Sequence, residues 1–414
     1  MPRFGDKEKG DGNKALRITK TPCNSAANSL DVNSSLDPDI VFVEKDVLTP
    51  QKVADHLSTT VQGEMGECPV RAMPDSVMLQ ILGYLSVKDV CRAACVCRGW
   101  NHLVREKPIW RVVDLSPYKI NLVNLRKLVF AYFSDSLRKL SLGGFLSSVK
   151  NTECISDSLL QELGNRCPKL QELCITRADL SKASSSNLPS KLLTLKLISC
   201  NYPTFWLTAA FKQSKLDSLR HLDMTGSNGF GFRDLESITP APMTSVLALK
   251  LRSCYRISSR GACRIADNLP NLQELDLSKV ALTNEALQKI GSNLTHLKIL
   301  NLHQCTNSEN VLFDLHHLSP LKHLEELDVT TDPDNSLGSH STTFDGNVLV
   351  GLVNTLTKLK SLLVSKNEHF TEDLVQRVKN GCVMPPGESD AKSVWKIGFY
   401  PQDKLIKVAQ QQAH

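Results

Sequence analysis

The stretch DVCRAACVCRGWNHLV, Asp89 to Val104, places three thiols and an imidazole within 16 residues: Cys91, Cys95, Cys97 and His102. Side chains of these types hold zinc when four of them converge, and closely paired thiols can cycle with a disulfide. The spacing here is C-x3-C-x-C-x4-H, without the C-x2-C pairing that sequence-local zinc sites favour, and no second ligand cluster lies nearby. On one continuous helix Cys91 and Cys95 share a face, whereas Cys97 points about 200° away from Cys95, at about 100° per residue. A redox C-x-x-C is absent as well. What is left is a helical surface rich in small, soft side chains. No nucleophile–base pair, Gly-rich phosphate loop or paired-carboxylate site emerges elsewhere, and the 11 histidines are scattered, with His316 and His317 in a repeat helix or loop. Neither enzymatic activity nor a cofactor or metal is expected.

The elements around this stretch are legible from Leu137 onward. LRKLSL, LQELCI, LLTLKL, LRHLDM, VLALKL, LQELDL, LKILNL, LEELDV and LKSLLV are nine copies of one template. Their fourth-position leucines, from Leu140 to Leu362, are separated by 33, 22, 27, 27, 26, 25, 27 and 35 residues. This is the leucine-rich repeat, in which L-x-x-L-x-L forms a short strand and the remainder returns as a helix. Cys200, Cys254 and Cys305 each follow a strand by three residues, where a small apolar side chain packs into the turn. The helical halves show too: Leu160, Leu163 and Cys167 recur at helical spacing before Pro168, and Thr283 is an N-cap before Leu287, Ile290 and Leu294. A single repeat cannot bury its own apolar face, so the copies must stack into a parallel-stranded arc with helices outside. The expected fold is an α/β solenoid over residues 116–385. Trp395 and Phe399, in a C-terminal cap and tail over 386–414, are available to close one end, and residues 70–135 must close the other.

The chain has 414 residues, 41% hydrophobic and 22% charged, which fits a soluble protein with a large core. A net charge of +6 without a long basic run does not point to nucleic acid. No signal peptide opens the chain, and no apolar run approaches the roughly 20 residues of a membrane helix. The 13 cysteines, odd in number, are therefore expected as thiols in cytoplasm or nucleus, where the sequons at Asn33 and Asn293 carry no glycan. Residues 1–70 read as a disordered tail. Within it Ile40 to Val43 lie between Asp37, Asp39, Glu44 and Asp46, a β-prone segment that resembles a SUMO-interacting motif, the alternative being a chance apolar patch.

Residues 71–115 build three short helical segments. Pro74 begins the first, with Asp75 or Ser76 as its cap and Val77, Ile81, Leu82 and Leu85 as apolar faces; Ser86 begins the second, carrying Val90, Ala94 and Cys97. Trp100, Leu103 and Trp110 follow, and VVDL near Val112 is a candidate first strand of the arc. The segment MPDSVMLQILGYL, then VCRGW, then IWR, resembles an F-box, and with the repeats the chain resembles the F-box/leucine-rich-repeat family. Val96, Cys97, Arg98, Trp100, Trp110 and Arg111 fall in the family's pattern, and Met73 stands where leucine is usual.

The resemblance implies that the F-box docks on the Skp adaptor of a cullin–RING ubiquitin ligase while the repeats hold a protein substrate. Adaptor contacts are then expected from Pro74, Val77, Ile81, Leu82, Leu85, Val96, Cys97, Trp100 and Trp110. A non-degradative scaffold on the same repeats is the alternative. With template positions 1, 4 and 6 turned inward, positions 3, 5 and 7 face the concave side. Substrate contacts are expected there from Lys196, Asp223, Lys250, Arg252, Asp276, Asn301, His303 and Asp328. Lys196, Asp223, Lys250 and Asp276 alternate in sign, so lateral ion pairs between neighbouring strands are expected too.

Overall fold

The computed structural model describes residues 43–44, 73–144, 155–237, 245–308, 311–330, 344–365 and 396–400. Apart from Val43–Glu44, the tail expected to be disordered falls outside these residues, as does Trp395.

All nine template segments form strands of one parallel sheet, and two more strands extend it to eleven. In chain order these are β1 (Val112–Asp114), β2 (Lys139–Gly143), β3 (Glu172–Thr176), β4 (Thr194–Ile198) and β5 (His221–Asp223). They are followed by β6 (Ala248–Lys250), β7 (Glu274–Asp276), β8 (Ile299–Asn301), β9 (Glu326–Asp328), β10 (Ser361–Ser365) and β11 (Lys396–Tyr400). Each strand pairs with its sequence neighbours, in a register that aligns Val113, the nine fourth-position leucines and Ile397 in one row. Those nine leucines are at most 1% exposed. The chain is an α/β leucine-rich-repeat solenoid.

The turn after each strand is built the same way. The eighth residue of six consecutive repeats, Arg177, Ser199, Gly226, Ser253, Lys279 and Gln304, takes a left-handed backbone with φ between 51° and 68°. Its N–H donates to the seventh-residue carbonyl of the next repeat at 2.7–2.9 Å, lengthening the ladder by one bond. The ninth residue then points into the stack. There the thiols of Cys200, Cys254 and Cys305 donate to the carbonyls of Ile175, Met224 and Leu277 in the preceding repeat, at 3.3, 3.1 and 3.1 Å. Burial pushes the Cys254 and Cys305 thiols up to about 12. Filling by these cysteines is as expected, with a hydrogen bond to the neighbouring repeat in addition.

The returning helices on the convex side include α4 (Leu122–Tyr132), α5 (Asp157–Arg166), α6 (Trp206–Lys212), α7 (Phe232–Ser237), α8 (Ser259–Asn268), α9 (Asn284–Asn293) and α10 (Gly346–Thr355). Thr283 caps α9, its hydroxyl accepting the Ala286 N–H at 3.3 Å. His316 and His317 lie in a single 3-10 turn, Leu315–Leu318.

Three short helices precede the sheet: α1 (Asp75–Gly83), α2 (Val87–Ala93) and α3 (Arg98–Val104). Ser86 caps α2 as expected, but Pro74 is the first flanking residue of α1 and no side chain caps it, which corrects the expected role of Asp75 or Ser76. A 3-10 turn, Lys107–Trp110, leads directly into β1. Trp110 is 1% exposed, stacks on Tyr132 of α4 at 4.2 Å between ring centroids and donates its indole N–H to the Val104 carbonyl at 2.6 Å. Asp135 bridges Lys107 at 2.9 Å and Lys169 at 3.2 Å, joining the helical module to the next repeat. The boundary expected at residue 115 thus runs beside a strand that both parts use. Val43–Glu44 pairs antiparallel with Tyr118–Lys119 of the same chain.

One close backbone approach sets a stability expectation. A Cβ on Gly291 of α9 would come within 1.8 Å of the His317 carbonyl oxygen, so the helix and the 3-10 turn of the next repeat pack on a bare Cα. Gly291→Ala is expected to destabilise the fold by about 1–3 kcal/mol through overpacking, despite alanine's better helix propensity. Urea denaturation of both forms measures it as a lower midpoint at unchanged slope.

Candidate functional site

Two surfaces gather the sequence-derived candidates. The first is the outward face of the three-helix module. Met78 and Leu82 turn inward along α1, while Val77 and Ile81, one position earlier in each turn, stand 39% and 43% exposed. Leu85 and Val96 extend this face at 41% and 64%, and Pro74 is exposed at its start. Tyr84, which the sequence reading left out, is 92% exposed and with Leu79, Gln80, Gly83, Pro108 and Ile109 lines a shallow groove. Its spacing from Val77 and Ile81, seven and three residues, was the available signal. Two expected adaptor contacts are corrected: Leu82 and Trp110, each 1% exposed, are interior residues that hold the module and its junction together. Trp100 is half-buried.

The cysteine-rich stretch divides its members among separate tasks. Cys91 is buried, and desolvation with the neighbouring Cys95 pushes its thiol up to about 12. Cys95 donates to the Cys91 carbonyl at 3.5 Å, and Cys97 caps α3 by accepting the Trp100 N–H at 3.5 Å. His102 is exposed, 3.9 Å from Glu106. Among the described residues no three Cys, His, Asp or Glu side chains come together as metal ligands would.

The second surface is the concave side of the sheet. Its fifth-position row runs Asp114, Ser141, Cys174, Lys196, Asp223, Lys250, Asp276, Asn301, Asp328 and Leu363 in register. The expected pairing along this row is corrected. Lys196 instead reaches the third-position Glu172 at 3.2 Å, and Lys250 reaches Glu274 at 2.6 Å. Partial burial raises the Glu172 pKa, but hydrogen bonds from Lys139 and Lys196 outweigh it and hold the carboxyl below its usual range.

The acids do something else. Asp114, Asp223, Asp276, Asn301 and Asp328 each accept the backbone N–H two residues on, at 2.9–3.0 Å, closing the strand end as Asx turns do. In four of the five the sequence shows the reason, a D-x-S/T signature: Asp114–Ser116, Asp223–Thr225, Asp276–Ser278 and Asp328–Thr330. The network crosses strands where Ser278 donates to the Asn301 side-chain oxygen at 2.8 Å. Thr330 donates to Asp328 at 2.6 Å, so its oxygen accepts from His303 Nδ1, also at 2.6 Å. His303 is 9% exposed, which corrects its expected place on the open groove. Arg252 alone of the eight expected substrate contacts is exposed, the others being half-buried or buried.

The two aromatics after β4 separate. Trp206 is packed, 6% exposed beside Tyr202, but Phe205 is 47% exposed, with a left-handed backbone at φ 67°.

Sequence comparisons match both parts of the chain. The F-box-like family model matches residues 70–116. Human F-box/LRR-repeat protein 12 is 32% identical over 231 residues, which cover 56% of this chain and 70% of that protein. Putative F-box/LRR-repeat protein 9 of Arabidopsis thaliana is 24% identical over 246 residues, 59% of this chain and 90% of that one. Among solved structures, an internalin of Listeria monocytogenes aligns at 19% identity with a TM-score of 0.40, covering 64% of each chain.

Burial lowers the pKa of His303, as do Arg252 and Lys279, against the opposing pull of Asp328 and Asp276. A histidine depressed on folding binds its proton more readily in the unfolded chain, so its contribution to stability is complete above the unfolded value of about 6.5 and is lost as pH falls through the lower folded value. Thermal melts at pH 7.5 and 5.5 are expected to differ less for His303→Gln than for the wild type. An identical difference would show that the imidazole has no part in the acid sensitivity.

Proposed function

The chain belongs to the F-box/LRR-repeat proteins, and from that premise we propose that it is the substrate-recognition subunit of an SCF-type (Skp–cullin–F-box) ubiquitin ligase, acting in cytoplasm or nucleus. The observation that carries the proposal is the apolar face of α1. Val77, Ile81, Tyr84 and Leu85 stand exposed on a module whose opposite side is buried. An apolar helical face of this kind suits a helical partner that covers it, the Skp adaptor, which in turn carries the cullin scaffold. The solenoid then holds a protein substrate. Its contribution to ubiquitin transfer is proximity and orientation, the reacting groups belonging to other subunits.

The division of α1 into two faces provides the test. Ile81→Asp with Tyr84→Ala, and separately Pro74→Ala with Leu85→Ala, alter exposed side chains only. Each pair is expected to weaken capture of a purified Skp adaptor by at least about 30-fold, the equivalent of about 2 kcal/mol, with the melting temperature unchanged. Leu82→Ala, by contrast, is expected to lower the melting temperature. Undiminished adaptor capture by both double variants would sink the assignment. Capture without F-box-dependent ubiquitination of any retained protein would favour a scaffold on the same repeats.

A further inference from the structure

The inner concave rows are engaged within the protein, whereas beyond strands β4 to β7 the turns, though bonded through their backbone, leave several side chains exposed. Arg252 follows β6 at repeat position 7 and is exposed, and Lys279, half-buried, follows the neighbouring strand β7 at position 8. Tyr255, three residues after Arg252 in the same turn, stands 71% exposed. Arg256 donates to the Thr204 hydroxyl at 3.1 Å, next to the exposed Phe205. Arg252, Arg256 and Lys279 take part in none of the ion pairs found among the described residues. The nearby acids Asp223 and Asp276 hold backbone N–H groups of their own turns.

Phe205 is held in place at some expense. Its left-handed backbone is one that aromatic side chains rarely adopt. Asp234, 1% exposed, accepts the Phe205 N–H at 2.6 Å and the Gly231 N–H at 2.9 Å. Asp234 is a positioning residue: a buried carboxylate stabilises a conformation that presents an aromatic ring to solvent.

We propose that this rim, with Arg252, Arg256 and Lys279 beside Phe205 and Tyr255, is the docking site for an extended acidic segment of a protein. Its carboxylates would meet the three cations and one apolar side chain would rest against the aromatics. Charge complementarity selects this occupant, since the three cations take part in no ion pair among the described residues, and the aromatics supply the desolvated contact that charge alone does not. The proposal deepens the receptor reading by naming a substrate class, and its test separates the two.

Three fluorescein-labelled probes are titrated into the full chain, with and without the adaptor, at low and high salt: a 12-residue Glu/Asp peptide with one central Leu, its Gln/Asn counterpart, and a 12-nucleotide oligo-dT. The acidic peptide is expected to bind in a salt-sensitive way and the Gln/Asn peptide at least 10-fold more weakly. Arg252→Ala with Lys279→Ala is expected to weaken the acidic peptide at least 10-fold, Phe205→Ala severalfold, and Lys196→Ala less than twofold. Charge reversal by Lys279→Glu alone repeats the test should the double variant fold poorly. Equal binding of the acidic and Gln/Asn peptides, preference for the oligonucleotide, no binding by the wild type, or full binding by the rim variants would overturn the proposal. Loss of adaptor capture with peptide binding intact would overturn the receptor reading alone.

Discussion

The leucine rows cannot be kept dry by any one repeat, and the rest of the molecule follows from that. Strands of three to five residues have no independent stability, so each inner strand is held by the two that flank it and each end strand by one. The left-handed eighth residue shows how strongly the ladder dominates. Five of the six residues in this conformation are not glycine, and each costs roughly 1–2 kcal/mol. What offsets the cost is an additional inter-repeat hydrogen bond and the ninth side chain turned into the stack. Cysteine suits that ninth position because it combines small volume with a donor that reaches the preceding repeat's carbonyl.

A stack held together by neighbours is vulnerable at its first member, and here the two parts of the protein meet. A helical module of about 40 residues buries too little surface to be secure by itself, and the first repeat has no preceding repeat to cover it. Each supplies what the other lacks: Trp110 stacks on Tyr132, β1 continues from the module into the sheet, and Asp135 ties the module to the next repeat. Because the inward side is used for this junction, the outward face of α1 keeps its apolar side chains exposed. The exposed face of α1 is thus joined to the first repeats through buried packing, a shared strand and an ion-pair bridge.

The nine inner strands were legible because apolar residues at positions 1, 4 and 6, always leucine at position 4, repeat whatever else varies. The outermost strands were harder to read. VVD was only a candidate, and KIGFY lacks the leucine pattern because a terminal strand need satisfy only one neighbour. Faces within α1 follow from helical geometry, yet Leu82 and Ile81 are indistinguishable by hydrophobicity; only the position of Trp110 and the first repeat decides which side turns inward. The concave acids were misjudged for a different reason. Sign alternation suggested lateral pairing, while the D-x-S/T pattern pointed to turn closure, and the local interaction won because a backbone N–H two residues away is always within reach. The contact from Asp234 to Phe205 spans 29 residues and has no local signature at all.

These roles change how the groove should be interrogated. A substitution at Asp276, Asn301 or Asp328 removes a strand-end acceptor and unsettles its neighbours through Ser278, His303 and Thr330, so lost binding there would report on strand geometry as much as on contact with a ligand. Lys196 and Lys250 are tied to Glu172 and Glu274, and a ligand carboxylate would have to replace an existing partner to gain from them. Exposed ion pairs contribute little to stability, but they still compete for their own cations. Selectivity therefore falls to groups without such partners, and these lie along the rim rather than on the floor. A rigid, internally satisfied floor is well suited to this division, because the rim residues inherit its geometry without having to maintain it.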